Sequence, residues 1–283
     1  MFSDILLTVD YDRTLTGPDS KIPERNLEAI AYFMENGGIF TVNTGRSVPT
    51  VIRDVIPYIQ VNAPLLLYTG SAMYDVRTGA LSHCKTISLD PYAVVEDLQT
   101  RFPMLTVEIQ GIDAHYTSLK NPKWEAYCEN MNCAWAYMTP DGIPGPFLKF
   151  TLYGEYRDKT LASMCQATPE DQKLFEEATN YIKERYGEYV DTFRACARII
   201  DMHAKGCSKL RAARDLQAEL GRKILVCIGD GENDLAMLQG ADYAFCPADG
   251  VVADRFKNVC PCGEGAVADV IYKKLPEIIH KEA

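Results

Sequence analysis

The stretch ILLTVDYDRTLT, residues 5–16, decides how the rest of the chain is interpreted. Its first five residues form a nearly continuous apolar run, which is typical of a strand buried on both faces of a parallel sheet. Asp10 and Asp12 follow, and because side chains alternate along extended backbone, the two carboxylates point the same way. Two such charges repel each other and need a cation between them or a proton on one of them. An isolated pair of aspartates is usually part of a solvated turn. Whether this pair is functional therefore depends on which residues the other loops contain.

Length and composition indicate a globular protein of two domains. The chain has 283 residues, 47% of them hydrophobic and 24% charged, which is enough for a sizeable core. The net charge is −10 and Lys and Arg form no stripe, so we expect neither nucleic acid nor an anionic membrane as partner. The sequence begins without a basic leader, and no apolar run is long enough to span a membrane. We therefore expect a soluble, cytoplasmic protein.

The ten cysteines are scattered and include no C-x-x-C pair. We interpret them as structural thiols rather than as a metal or redox site.

Hydrophobic periodicity predicts an α/β domain that is interrupted by a second domain. Apolar strand patterns alternate with amphipathic helix patterns, as in parallel β-α-β units, with the strands at 5–9, 39–42, 65–68, 198–202, 223–228 and 243–245. From about 83 to 190, aromatic residues, turn signals and apolar/polar alternation replace the apolar runs, which is typical of a half-exposed antiparallel sheet. We predict a Rossmann-like parallel-sheet core at 1–82 and 191–283, with an α+β domain inserted at 83–190.

Four polar clusters directly follow predicted strands or their loops. Besides the aspartate pair, they are NTGRS at 43–47, KGCSK at 205–209 and GDGEND at 229–234. Ligands bind at the carboxyl ends of the strands in open α/β sheets, so we expect the four loops to meet in one crevice. Four such coincidences carry more weight than one pair of aspartates.

These clusters resemble, in the same order, the four motifs of the haloacid dehalogenase-like (HAD) hydrolases. The last cluster, which continues as LAML, is the most specific of the four. The insert resembles the α+β (C2B-type) cap of the type IIB, or Cof-type, phosphatases, so the resemblance covers essentially the whole chain. It implies a Mg²⁺-dependent phosphatase acting on a small phosphorylated metabolite, such as a sugar phosphate.

The resemblance also implies catalytic and metal-binding roles. Asp10 would be the nucleophile that forms an aspartyl-phosphate. Asp12 would protonate the leaving alcohol and then deprotonate the hydrolytic water. Asp10, Asp230 and the backbone carbonyl of Asp12 would hold Mg²⁺. Asp234 would be a further metal residue, either as a ligand or from behind the ligands by orienting Lys209.

The remaining site residues would bind the phosphate. Thr44 would donate its hydroxyl and backbone N–H, with Gly45 beside it near a helix N-terminus. Lys209 would neutralise the developing charge, and Asn233 would bond the phosphate or Thr44. Arg46 would reach the phosphate or form a salt bridge.

Two residues depart from the family pattern. Arg13 stands where the family usually has Gly, and Leu210 follows the lysine where Gly is usual, which leaves substrate choice more open than chemistry. Lys209 is preferred over Lys205 because it follows Ser208. In the insert, residues such as His115 could line a pocket, but we interpret them as structural.

Other functions remain open at this point. One is a phosphomutase of the phosphomannomutase type, and another is a catalytically silent phosphometabolite-binding protein, if Arg13 blocks the nucleophile. Asp12 and the absence of membrane spans argue against a P-type ATPase.

Overall fold

The structure is a computed structural model that describes residues 1–130, 132–154 and 167–282. It divides into two compact units. Unit 1 contains Met1–Gly45, Ile56–Ser82 and Ser208–Ala283, and unit 2 contains Arg46–Val55 and His83–Cys207. The cysteines described are all free thiols, most of them buried, whereas Cys165 lies outside the described residues. Within the described ranges, no helix has the length and apolar character needed to cross a bilayer.

The strands and helices have the following bounds. The strands are β1 (Ile5–Val9), β2 (Ile39–Val42), β3 (Leu65–Leu67), β4 (Ala72–Asp75), β5 (Ala80–Ser82), β6 (Thr106–Gly111), β7 (Ala114–Thr117), β8 (Ala134–Tyr137), β9 (Phe147–Tyr153), β10 (Val190–Cys196), β11 (Ile199–Ala204), β12 (Ile224–Ile228), β13 (Tyr243–Pro247) and β14 (Lys257–Val259). The helices are α1 (Glu24–Glu35), α2 (Val48–Asp54), α3 (Pro91–Arg101), α4 (Pro122–Asn130), α5 (Pro169–Tyr186), α6 (Lys209–Glu219), α7 (Leu235–Gly240), α8 (Ala266–Asp269) and α9 (Leu275–Glu282).

Unit 1 is built on a parallel sheet with the strand order β14-β13-β12-β1-β2. All five residues of β1 are buried, as its apolar sequence predicts for a strand covered on both faces. Leu6 of β1 shares a core with residues of α6, β12 and α7, including Leu216, Leu225 and Met237. The strand that carries Asp10 and Asp12 at its end therefore lies in the interior of the sheet.

The third predicted strand does not continue this sheet. Strand β3 pairs antiparallel with β4, which pairs with β5, and one parallel bridge joins Leu66 to Asn43. The reason is the turn after β3, where Tyr68 and Thr69 have positive φ values of 51° and 56° and the chain returns at once as β4.

Unit 2 is an α+β unit with a six-stranded sheet of order β10-β11-β9-β6-β7-β8, antiparallel except between β7 and β8. One face packs on α3 and α5 through apolar side chains such as Ile109, Phe150 and Phe175. The other face carries polar residues that are also buried, among them Glu108, His115, Lys149, Thr151, Asp201 and His203. The alternation of apolar and polar residues predicted a sheet with one exposed face. The polar face is buried instead, so the alternation indicates the polarity of that face and not its exposure.

The second boundary of the insert lies later than the predicted residue 190. Strands β10 and β11 were assigned to the core segment, but β11 pairs with β9 and β10 pairs with β11. Ile200 and Met202 face the core of unit 2, while Asp201 faces the other side of the sheet. Helix α2 also groups with unit 2.

Candidate active site

The predicted catalytic loops leave the sheet at the ends of three neighbouring strands. Val9, the last residue of β1, pairs with Val42 of β2 and Ile228 of β12, so these strands end level with one another. The backbone N–H of Asp10 donates to Ile228 O (2.9 Å), and that of Asn43 donates to Val9 O (2.9 Å). These ladder bonds fix the starting points of the loops side by side.

Lys209 lies between two buried carboxylates. Its Nζ donates to Asp10 Oδ1 at 2.5 Å and to Asp234 Oδ1 at 2.6 Å. The side chain of Lys209 is 1% exposed. Burial by itself would lower the pKa of Lys209, but the charges of Asp10 and Asp234 outweigh it and raise the pKa above its ordinary value. The two carboxylates therefore stabilise the charged form of Lys209.

The backbone around Lys209 is fixed from both sides. Ser208 is the N-cap of α6, and its hydroxyl accepts a hydrogen bond from the N–H of Arg211 (3.1 Å). The side-chain amide of Asn43 donates to the carbonyl of Lys209 (2.9 Å). The loop after β2 thus holds the first turn of the helix that carries the lysine.

Asp234 uses both of its oxygens within the protein. Oδ1 accepts from Lys209, and Oδ2 accepts from the backbone N–H groups of Asp230 (3.1 Å) and Gly231 (3.0 Å). A Cβ at Gly229 would lie 2.6 Å from Asp234 Cγ, so the close turn requires glycine there. This geometry favours the orienting role of Asp234 over that of a direct metal ligand.

Asp230 and Asp10 form an excess of buried negative charge. Burial, followed by repulsion from Asp234, raises the pKa of Asp230 to about 7. Burial also raises the pKa of Asp10 well above its usual value, although Lys209 opposes the shift. The hydroxyl of Thr14 donates to Asp230 Oδ1 (3.0 Å).

One oxygen of each of Asp10, Asp230 and Asp234 lies within 4.8 Å of the others. Carboxylate oxygens at this spacing, with more negative charge than Lys209 offsets, are suited to a hard divalent cation. The cluster is therefore a candidate metal site.

Thr44 is placed differently from the prediction. Its backbone N–H, predicted to bind phosphate, donates to Leu66 O (2.9 Å), and its carbonyl accepts from the N–H of Thr69 (3.0 Å). Leu66 belongs to β3 and Thr69 to the turn directly after it, so this segment accounts for both bonds. A phosphate role of Thr44 therefore rests on its hydroxyl, with Gly45 as the next residue of the loop.

The remaining predicted residues lie in distinct settings. Asp12 is half-buried, and Asn233 is half-buried in the same turn as Asp234. Arg46 groups with unit 2, where it forms an ion pair with Asp54 (2.6 Å). The structure thus realises the salt bridge that was one of two predictions for Arg46.

Sequence comparison decides the family. A sequence model of the haloacid dehalogenase-like hydrolases matches residues 7–262. The chain belongs to this family. A search of curated proteins found no match.

Solved structures of HAD proteins share the fold. A haloacid dehalogenase-like hydrolase from Bacteroides thetaiotaomicron has a TM-score of 0.74 and 18% identity over 95% of this chain and 98% of that one. One from B. subtilis has a TM-score of 0.77 and 17% identity over 95% and 99%. A HAD subclass IIB sugar phosphatase has a TM-score of 0.72 and 15% identity over 97% and 98%. The predicted HAD fold, a Rossmann-like core with an inserted cap, is confirmed.

The structure also accounts for the neighbours of the HAD lysine. Lys205, the less favoured lysine, pairs with Asp191 at 2.8 Å in unit 2. Leu210 lies against Gly240 of α7, where a Cβ would come within 2.3 Å of it, so it serves helix packing.

Two supporting residues were missed from the sequence. They are Asn43, which holds the Lys209 carbonyl, and Thr14, which holds Asp230. Both stand inside the quoted motifs, and polar residues at strand ends are the only signal that could have indicated them.

Proposed function

We propose that the protein is a Mg²⁺-dependent phosphatase that hydrolyses a small phosphorylated metabolite through an aspartyl-phosphate on Asp10. The observation that carries the proposal is the Asp10 carboxylate at the end of β1, held at 2.5 Å by the ammonium group of Lys209. A sugar phosphate is the proposed substrate because one protein of similar fold is described as a sugar phosphatase.

Asp10 and Asp12 divide the chemistry between them. Asp10 attacks phosphorus, the bond from phosphorus to the ester oxygen breaks, and Asp12 gives its proton to the departing alcohol. Asp12 then accepts a proton from water as the water attacks the acyl phosphate and regenerates Asp10. Because Asp12 is half-buried whereas Asp10 is only 6% exposed, the proton carrier has the better access to water.

Lys209 and Asp234 act as a unit. Lys209 offsets negative charge on Asp10 and on the phosphoryl oxygens, and Asp234 Oδ1 accepts a second hydrogen bond from the same ammonium group and so orients it. Thr44, Gly45 and Asn233 are the proposed polar contacts of the phosphate. Substrate contact by Arg46 stays a prediction, since its guanidinium is paired with Asp54.

Asp10, Asp230 and the carbonyl of Asp12 would hold the Mg²⁺. The ion would neutralise the phosphate and the carboxylates together. The excess negative charge of the buried cluster supports this choice, as do the oxygen donors, which Mg²⁺ prefers.

Phosphate release from a panel of phosphate esters tests the proposal. Wild-type protein should release phosphate when Mg²⁺ is present, and this release should stop when EDTA is added. Asp10→Asn should lose about a thousandfold or more in kcat, because an amide is not a nucleophile here. Asp215→Asn is the matched control, since Asp215 forms a surface pair with Arg211 on α6. Turnover retained by Asp10→Asn would show that Asp10 is not the nucleophile. Interconversion of sugar phosphates without phosphate release would identify a phosphomutase.

A further inference from the structure

Arg13 adopts a backbone conformation that suits glycine. Its φ is 58° and its ψ is 13°, in the left-handed region that residues with a Cβ rarely occupy. A hydrogen bond from its N–H to Thr16 Oγ1 (3.2 Å) holds the turn, and that bond would form with any side chain at position 13. The loop geometry therefore gives no reason for an arginine.

The side chain of Arg13 is exposed, and among the residues that the structure describes its guanidinium forms no ion pair. This is notable in a chain with a net charge of −10. Its backbone nevertheless lies next to the carboxylate cluster, because the neighbouring Thr14 donates its hydroxyl to Asp230 Oδ1 (3.0 Å).

The other cationic side chains of the predicted motifs already have carboxylate partners. Lys209 is held by Asp10 and Asp234, and Arg46 is held by Asp54. Arg13 thus differs from both in being exposed without a carboxylate partner.

We propose that Arg13 binds a second acidic group of the substrate, so that the preferred ester carries a carboxylate or a further phosphate besides the phosphate that is removed. This inference rests on the proposed function. Arg13 directly follows Asp12, the proposed proton donor to the leaving alcohol, so the second acidic group belongs to the leaving alcohol. The planar guanidinium offers paired N–H donors that match a carboxylate or a phosphate. Near four aspartates, an anionic leaving group also needs a cation to offset repulsion.

Matched pairs of esters test the inference. 6-Phosphogluconate against glucose 6-phosphate adds a carboxylate, and fructose 1,6-bisphosphate against fructose 6-phosphate adds a phosphate. In wild type, kcat/KM should be higher for the diacid of at least one pair, and the pair that responds identifies the acidic group. In Arg13→Asn, which keeps a residue that tolerates positive φ, the ratio of diacid to monoacid should fall about ten- to a hundredfold. Arg13→Lys should be intermediate, since it keeps the charge without the fork.

Arg77→Asn is the control for the loss of one positive charge, because Arg77 is exposed in the β4–β5 turn. Its ratios should equal those of wild type. The Tm of Arg13→Asn should not fall, and a lower Tm would instead assign Arg13 to folding.

The outcomes separate the two proposals. If p-nitrophenyl phosphate and the sugar esters are hydrolysed, but Arg13→Asn leaves the ratios unchanged, the inference on Arg13 is wrong and the phosphatase stands. If wild type hydrolyses nothing with Mg²⁺, the proposed function fails, and calorimetric binding of the same pairs still tests Arg13. Equal affinities of wild type and Arg13→Asn for the diacids would then overturn it.

Discussion

Lys209 stabilises two buried carboxylates that would otherwise repel each other. Asp10 and Asp234 both lie at hydrogen-bond distance from its Nζ, and all three side chains are largely buried. Removing one partner of a buried ion pair leaves an uncompensated charge, which is more costly than the pair itself is favourable. The lysine therefore has a structural role beside its proposed catalytic one.

We expect Lys209→Met to lower the free energy of unfolding by about 3–5 kcal/mol. Urea denaturation followed by circular dichroism measures this change. Lys205→Met is the matched control, because the Lys205–Asp191 pair is largely exposed and should contribute no more than about 1 kcal/mol. Equal changes in the two variants would contradict the stabilising role of Lys209.

The convergence of the site residues could be predicted from the sequence where the end of a strand fixes their position. Asp10, Lys209, Asp230 and Asp234 do come together, because each follows a strand or opens a helix at one edge of the sheet. The backbone N–H of Thr44 could not be assigned, since its partner belongs to β3, whose path depends on tertiary packing.

At the scale of single elements, the β6–β7 hairpin carries a buried ion pair. His115 Nδ1 lies 3.2 Å from Glu108 Oε1, and the carboxylate also accepts from Gln110, Trp124 and Tyr153. Burial would raise the pKa of Glu108, but the charge of His115 and the hydrogen bonds from Gln110 and Trp124 outweigh it and lower the pKa to about 2. Burial would lower the pKa of His115, but the negative charge of Glu108 outweighs it. The pKa of His115 is therefore raised well above its usual value.

The sign of these shifts defines a pH window. The contribution of Glu108 to the free energy of unfolding is fully present above its unfolded pKa of 4.5, and it is lost as the pH falls through about 2. That of His115 is present below 6.5 and is lost as the pH rises through its raised pKa. We expect Glu108→Gln to cost most, about 3–5 kcal/mol, between pH 4.5 and 6.5, and less on either side.

Urea denaturation across this pH range checks the window. Glu125→Gln is the control, because Glu125 accepts a hydrogen bond from Tyr137 at the surface. Its effect should be small and independent of pH. A cost of Glu108→Gln that does not vary with pH would refute the ion pair.

Most elements of the chain followed from periodicity, and the exceptions have a common cause. Helices α3, α5 and α6 each begin after a residue whose side chain caps the first turn, namely Asp90, Thr168 and Ser208, and such caps are a local signal. Strand β11 was assigned to the wrong sheet because a short apolar run does not specify its neighbours. Pairing partners are a long-range property, which no local pattern contains.

At the scale of the whole molecule, each unit has its own hydrophobic core. The core of unit 2 is formed by residues of its own sheet, of α3 and of α5, such as Val95, Phe150 and Ile182. That of unit 1 contains Leu6, Leu216 and Leu225. A unit with its own core can unfold as a cooperative unit of its own.

We therefore expect calorimetry to resolve two unfolding transitions, each responding to changes in one unit. Mg²⁺ should raise the Tm of one transition only, because the acidic cluster lies in unit 1 and binding stabilises the unit that binds. Lys209→Met should lower that same transition, and Glu108→Gln should lower the other, because Glu108 lies in unit 2. The two variants serve as controls for each other, since each removes one buried charge. A single transition that both variants and Mg²⁺ shift together would show that the two cores unfold as one.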